Sequence, residues 1–173
     1  MGKKELIVDP SLYDLDRPIA DIEAIRKQNP QRFEMEQLTA IVFMNPDDLT
    51  CVGYKDLTED EFWVRGHMPG MPIMPGVIMC EAAAQLMSYF CRTQDMIAED
   101  AVLGFAGLEN VRFRGVVPPG NRFVIQAKQI KIKRILVADF QCLIEDNLVC
   151  EGTIKGIPLP VDTEAIRVAA GLE

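Results

Sequence analysis

From Val77 to Cys91 the chain is apolar at nearly every position, and the run is broken inside only by Glu81, Gln85 and Ser88. Spacings of four and three place these three on one face of a helix. A helix that is apolar on its other faces must be buried, and this run is shorter than the roughly 20 residues a bilayer span requires. A carboxylate inside such a helix is costly unless it is paired, neutralised or used. Just upstream, Pro69, Gly70, Pro72, Pro75 and Gly76 crowd a segment that cannot be regular structure. Proline fixes φ, removes a donor and pushes its predecessor out of the helical region. This stiff loop carries His67, the only histidine of the chain, and leads into a first helical turn, where proline is tolerated.

Strand patterns flank the helix on both sides. Residues 35–43 and 49–57 read as strands joined by the turn Asn45-Pro-Asp-Asp. Beyond a polar connector at 93–100, four more candidates cover 102–113, 122–133, 135–145 and 148–157, with turns at Pro118-Pro-Gly-Asn, Lys133-Arg134 and Asp146-Asn147. In the second of these the apolar phase runs Phe123, Ile125, Ala127 and then slips near Lys128 and Gln129, which predicts a bulge. A short helix is expected over 19–28, ended by Asn29-Pro30. Residues 1–17 read as an extension without periodicity, and 159–173 as a tail with a short helix from Asp162 or Thr163. One long buried helix needs a curved antiparallel sheet to wrap it. The expected class is therefore α+β, in one domain over 1–173, a length ample for a single core.

With 49% apolar residues and a net charge of −8, the chain does not have a disordered composition, and nucleic acid is a poor partner for it. The N-terminus shows no signal-peptide core, so a cytoplasmic location and no membrane span are expected. Five cysteines without a Cys-x-x-Cys, beside one histidine, argue against a metal site. The cysteines read as small core residues, including Cys80 next to Glu81. Between Asn110 and Ala138 there is no acidic residue, while Arg112, Arg114, Lys131 and Lys133 all fall there. In an acidic protein this segment is either a solvated basic face or a surface for an acidic partner.

The stretch Gly66-His-Met-Pro-Gly-Met-Pro-Ile-Met-Pro-Gly76, with Glu81 and Gln85 behind it, resembles the signature of the β-hydroxyacyl-[acyl carrier protein] dehydratases of the FabZ type. Met68 replaces the usual Phe of that pattern. Phe105-Ala-Gly-Leu-Glu-Asn-Val-Arg-Phe-Arg-Gly-Val-Val-Pro-Pro-Gly120 is similar to a second family run, and Asn29-Pro-Gln-Arg-Phe33 to a third. Between 34 and 58 the likeness fades: the family's Pro-Phe-Leu-Leu-Val-Asp-Arg is replaced by Glu34-Met-Glu-Gln-Leu-Thr-Ala40. The resemblance implies a hot-dog fold, a homodimer or a trimer of dimers, and sites in which His67 of one subunit faces Glu81 of the other. It also implies a substrate carried as an acyl chain on the phosphopantetheine of an acyl carrier protein, in fatty acid or related acyl-chain synthesis such as that of lipid A.

The chemistry of that reaction suits the residues. Eliminating water from a β-hydroxyacyl thioester removes a proton from the α-carbon and expels hydroxide from the β-carbon. Imidazole suits the base, because its neutral form is available near pH 7. A carboxyl on an apolar helix suits the acid, because desolvation favours the neutral form. The unpaired N–H groups of the first turn, at Gly76 and Val77, suit the thioester oxygen. His67 and Glu81 are thus the expected base and acid. Gln85 is either a positioning group or a core amide. Arg112, Arg114, Lys131 and Lys133 are the candidates for the carrier surface. Elimination needs no cofactor. Two other readings stay open at this point: another hot-dog enzyme (an acyl thioesterase or an enoyl-CoA hydratase) and a non-catalytic acyl-binding subunit. The product of the reaction, or the lack of one, separates them.

Overall fold

The computed structural model describes residues 5–98 and 100–160. Six strands form one antiparallel sheet in the order β1-β2-β4-β5-β6-β3. They are β1 (Ala40–Asn45), β2 (Thr50–Asp56), β3 (Ala101–Phe113), β4 (Arg122–Ile132), β5 (Leu136–Ile144) and β6 (Asn147–Pro160). Helix α1 (Ile22–Gln28) precedes the sheet, and α2 (Gly76–Thr93) lies between β2 and β3. This is the expected α+β arrangement of one long helix within a single sheet. The tail helix expected from Asp162 or Thr163 lies outside the described residues.

Helix α2 buries Met79, Ala82, Ala83, Leu86, Met87 and Phe90 against the inner face of the sheet. That face supplies Cys51, Phe123, Ile125, Ala127 and Phe140. Full burial of one large apolar side chain contributes about 1.5–3 kcal/mol, so this interface dominates the fold. Gly53 lets β2 approach the helix: a Cβ there would lie 3.1 Å from Leu86 Cδ1 and 3.0 Å from the Ala40 carbonyl. The bulge expected in β4 is present as a register shift between Gln129 and Lys131.

The outer face of the sheet is not bare. Leu6, Ile7 and Val8 lie across it, and Val8 packs with Val42, Val52, Tyr54, Val124 and Leu143 in a second apolar cluster. Two outward glutamines hold this segment by its backbone. Gln126 accepts from Val8 N–H (3.0 Å) and donates to Val8 C=O (2.9 Å). Gln141 accepts from Ile7 N–H (2.8 Å) and donates to Glu5 C=O (3.1 Å). Arg122 adds bonds to Leu15 C=O and Asp16, pairs with Asp56, and stacks its guanidinium over Tyr54 at 4.1 Å. Most of the region expected to be a plain extension is therefore a strap that forms a third layer.

The first strand begins later than its apolar pattern implies. Residues 33–35 form a 3-10 turn, with Phe33 in the left-handed region at φ 59°, and pairing starts only at Ala40. The free edge of β1 is met by residues 19 and 20, which hydrogen-bond Ile41. The opposite edge, β3, has no strand on its outer side among the described residues, and it exposes Phe105, Leu108 and Phe113.

Candidate active site

The loop with His67 is fixed by its own backbone. His67 N–H donates to Trp63 C=O (2.7 Å), Ile73 N–H donates to His67 C=O (2.9 Å), and Met74 N–H donates to Val117 C=O (2.7 Å) beyond β3. Trp63 is buried in the core, whereas Phe62 is exposed. The half-buried imidazole places Nδ1 2.9 Å from Ile73 C=O. A carbonyl oxygen can only accept, so Nδ1 carries the proton and a neutral ring presents a bare Nε2 lone pair. The main chain thus sets the tautomer of this ring.

Helix α2 starts without a side-chain cap. Ile78 and Met79 N–H turn to Pro75 C=O, at 2.9 and 3.3 Å. The N–H groups of Gly76 and Val77 have no acceptor among the described residues, and they stand at the positive end of an 18-residue helix. Val77 itself is exposed. Gly76 is required by packing: a Cβ there would come within 2.7 Å of two ring atoms of Phe113. The sequence reading had not singled out Phe113. Its signal was the Arg-Phe pair in the run that ends at Gly120.

Glu81 is half-buried one turn into the helix. Its Oε1 accepts a 2.7 Å bond from Gln85 Nε2, and its Oε2 makes no hydrogen bond among the described residues. Gln85 is 2% exposed, with an amide that is fully engaged. Oε1 accepts from Gln37 N–H (2.9 Å), and Nε2 donates also to Met35 C=O (2.7 Å). Those two contacts dictate which end of the amide is nitrogen, so Gln85 can only donate to Glu81. It is a buried amide that hydrogen-bonds Glu81. His67 and Glu81 share no hydrogen bond or ion pair within the chain.

Cys80, beside Glu81, is buried, and a hydrogen bond with Cys150 together with that burial pushes its thiol up. All five cysteines are free and buried.

The four basic candidates lie at two ends of the molecule. Arg112 and Arg114 flank Phe113, at the Gly76 end. Lys131 and Lys133 follow Gln129, which meets Cys91 at the far end of α2. Arg114 is engaged with Glu151 through Nε (2.9 Å) and its terminal nitrogen. Arg112, Lys131 and Lys133 have no ion pair among the described residues. No helix among the described residues is long and apolar enough to cross a membrane.

Residues 29–153 match the FabA-like domain model. The 3-hydroxyacyl-[acyl-carrier-protein] dehydratase FabZ of Shewanella loihica is 34% identical over 137 residues, covering 78% of this chain and 89% of that protein. The bifunctional enzyme LpxC/FabZ of Chlorobaculum tepidum is likewise 34% identical over 137 residues, but the chain spans only 29% of its length. In fold, the chain is similar to a chain of the dehydratase heterocomplex ApeI:P from Xenorhabdus doucetiae. The TM-score is 0.66 at 16% identity, over 84% of this chain and 96% of that one. With the His67 loop, α2 and strands β1 to β5 all within the matched region, the chain belongs to the FabA-like family, among the FabZ-type 3-hydroxyacyl-[acyl-carrier-protein] dehydratases.

Proposed function

We propose that the protein is a (3R)-hydroxyacyl-[acyl carrier protein] dehydratase that produces trans-2-enoyl thioesters in fatty acid or related acyl-chain synthesis, in the cytoplasm. The observation that carries this reading is the fixed tautomer of His67: its Nδ1–H is held by Ile73 C=O, which leaves Nε2 as a base. In the proposed reaction Nε2 takes the α-proton while the Gly76 and Val77 N–H groups hold the thioester oxygen, where negative charge develops. The Cβ–O bond then breaks, the electron pair of the former Cα–H bond forms the Cα=Cβ bond, and Glu81 Oε2 gives its proton to the departing hydroxide. Water leaves. The proton on His67 returns to Glu81 through solvent and resets the site.

The reading includes a dimer formed along β3. Two copies of an antiparallel edge related by a two-fold axis form one continuous sheet, and their α2 helices then run in opposite directions. That juxtaposition brings the Gly76 end of one subunit beside the far end of the other; that His67 of one subunit meets Glu81 of the other is what the family resemblance implies. The exposed Phe105, Leu108 and Phe113 on that edge support it. It also gives Arg112, Lys131 and Lys133 a common surface for an acidic carrier, despite their separation within one chain.

The test is incubation with a (3R)-β-hydroxyacyl thioester on the carrier protein and on coenzyme A, followed by mass spectrometry. Loss of one water from the carrier-bound chain is expected. Release of free acid would replace this reading with a thioesterase, and turnover confined to coenzyme A would replace it with a hydratase.

A further inference from the structure

A polar network outside the His67 loop ends on the Glu81–Gln85 pair. The two backbone groups that hold the Gln85 amide, Met35 C=O and Gln37 N–H, flank Glu36. A strand residue would pair with that peptide in the same way. The Glu36 side chain is gripped in turn by Arg26, with Nε to Oε1 at 2.7 Å and NH2 to Oε2 at 2.8 Å. This is a fork-to-fork pair, the strongest geometry available to these groups. The Glu36 side chain is 15% exposed, which limits screening by solvent. Lys55 Nζ donates to Glu36 C=O (3.2 Å), and Asn29 Nδ2 donates to Gln85 C=O (2.9 Å). Arg26 and Glu36 make no hydrogen bond or ion pair with Glu81. They lie on α1 and in the segment where the residues depart most from the family pattern.

We infer that the Arg26–Glu36 ion pair is a positioning device for Glu81. It fixes residue 36 and with it the two backbone groups that orient the Gln85 amide. The amide then bonds Glu81 Oε1 and leaves Oε2 as the oxygen that faces substrate. Without the pair, residues 35–37 shift, and the amide can turn its oxygen toward the carboxylate. The inference rests on the reading of Glu81 as the acid.

The test is steady-state turnover of the carrier-bound β-hydroxyacyl thioester by Arg26→Met and Glu36→Gln, each alone and with Gln85→Ala. Arg26→Glu combined with Glu36→Arg gives the swapped pair, and Glu81→Gln is the reference. Each single variant is expected to lower kcat roughly tenfold with KM unchanged, the signature of lost transition-state geometry. The swapped pair regains part of the loss, and neither variant lowers kcat further once Gln85 is Ala. Unchanged kcat in the single variants would overturn the inference. So would losses that add to that of Gln85→Ala, or losses that the swapped pair does not relieve while circular dichroism shows folded protein. Turnover retained by Glu81→Gln would instead remove the reading of Glu81 as the acid, whatever the ion-pair variants do.

Discussion

Gln85 donates to Glu81 across one turn of α2, at 2.7 Å, from an amide whose other two positions are taken by the backbone of Met35 and Gln37. One carboxylate oxygen is therefore occupied and the other makes no hydrogen bond among the described residues. In a neutral Glu81 the latter carries the proton, which is the arrangement a general acid needs.

Gln85 variants test this relationship. Gln85→Ala should lower kcat roughly tenfold to a hundredfold, the scale expected when a reacting group is misplaced. Gln85→Glu should be worse, because a carboxylate has no proton to donate to Glu81 or to Met35 C=O. Kinetics at saturating substrate, with melting curves alongside, separate this from unfolding.

Gly76→Ala probes the start of the helix. The added Cβ would meet Phe113 at 2.7 Å, so either the ring or the first turn must move. Overpacking of this kind costs about 1–3 kcal/mol, and displacement of the Gly76 and Val77 donors should lower kcat more than it raises KM. Phe113→Leu in the same chain should restore much of the turnover, since it removes the atoms that clash. Kinetics and melting curves of the single and double variants check this.

The strap over the outer face makes a prediction about stability. Gln126→Leu removes the partners of Val8 N–H and C=O and of Tyr13 Oη, while the strap remains over the sheet. Buried groups left unpaired cost about 1–3 kcal/mol each. Urea unfolding should show a lower midpoint, and turnover per folded molecule should be unchanged, because the strap lies on the face opposite α2.

Acid should weaken the bracket formed by Arg26 and Glu36. The Arg26 guanidinium holds the Glu36 carboxyl below its ordinary value of 4.5, against desolvation, and Arg32 and Lys55 act in the same direction. A carboxyl lowered in the folded state contributes stability that is fully present above its unfolded value and is lost as pH falls through its folded value. The difference in unfolding free energy between the native protein and Glu36→Gln should therefore be constant near neutral pH and shrink below about pH 4.5. Denaturant titrations across that window give the sign.

The central helix, the proline-rich loop and the succession of strands along the chain were legible in the sequence because each is strongly periodic or punctuated, whereas the place of β3 at the far edge of the sheet was not. The start of β1 was not. Met35 to Phe43 reads as a strand, yet the backbone of Met35 and Gln37 is used by the Gln85 side chain, and Phe33 breaks the chain direction in the left-handed region. Alternation reports the face of a side chain, not a competitor for its main chain. The strap was hidden for a related reason. Three apolar residues at 6–8 are too few for a pattern, and their partners Gln126 and Gln141 look like solvent-facing residues of ordinary strands. His67, Glu81 and Gln85 stand out as a set only through the family resemblance, whereas the contacts of Phe113 with Gly76 and of residues 35–37 with Gln85 join segments distant in sequence. The basic residues at 112–133 are near neighbours along the chain, but β4 alone, at about 3.3 Å per residue, carries it roughly 30 Å away.

The most direct test of the account is complementation between two inactive variants. His67→Ala and Glu81→Ala are each expected to abolish water loss from the carrier-bound β-hydroxyacyl thioester. The two are then unfolded together, refolded as a mixture and assayed. Mixed dimers with shared sites contain one site with both native residues and one with neither, so the mixture should recover about a quarter of native turnover, as random pairing makes half of the dimers mixed. Dehydration retained by either variant alone would contradict the assigned roles. A refolded, dimeric mixture that remains inactive would contradict the sharing of His67 and Glu81 between subunits.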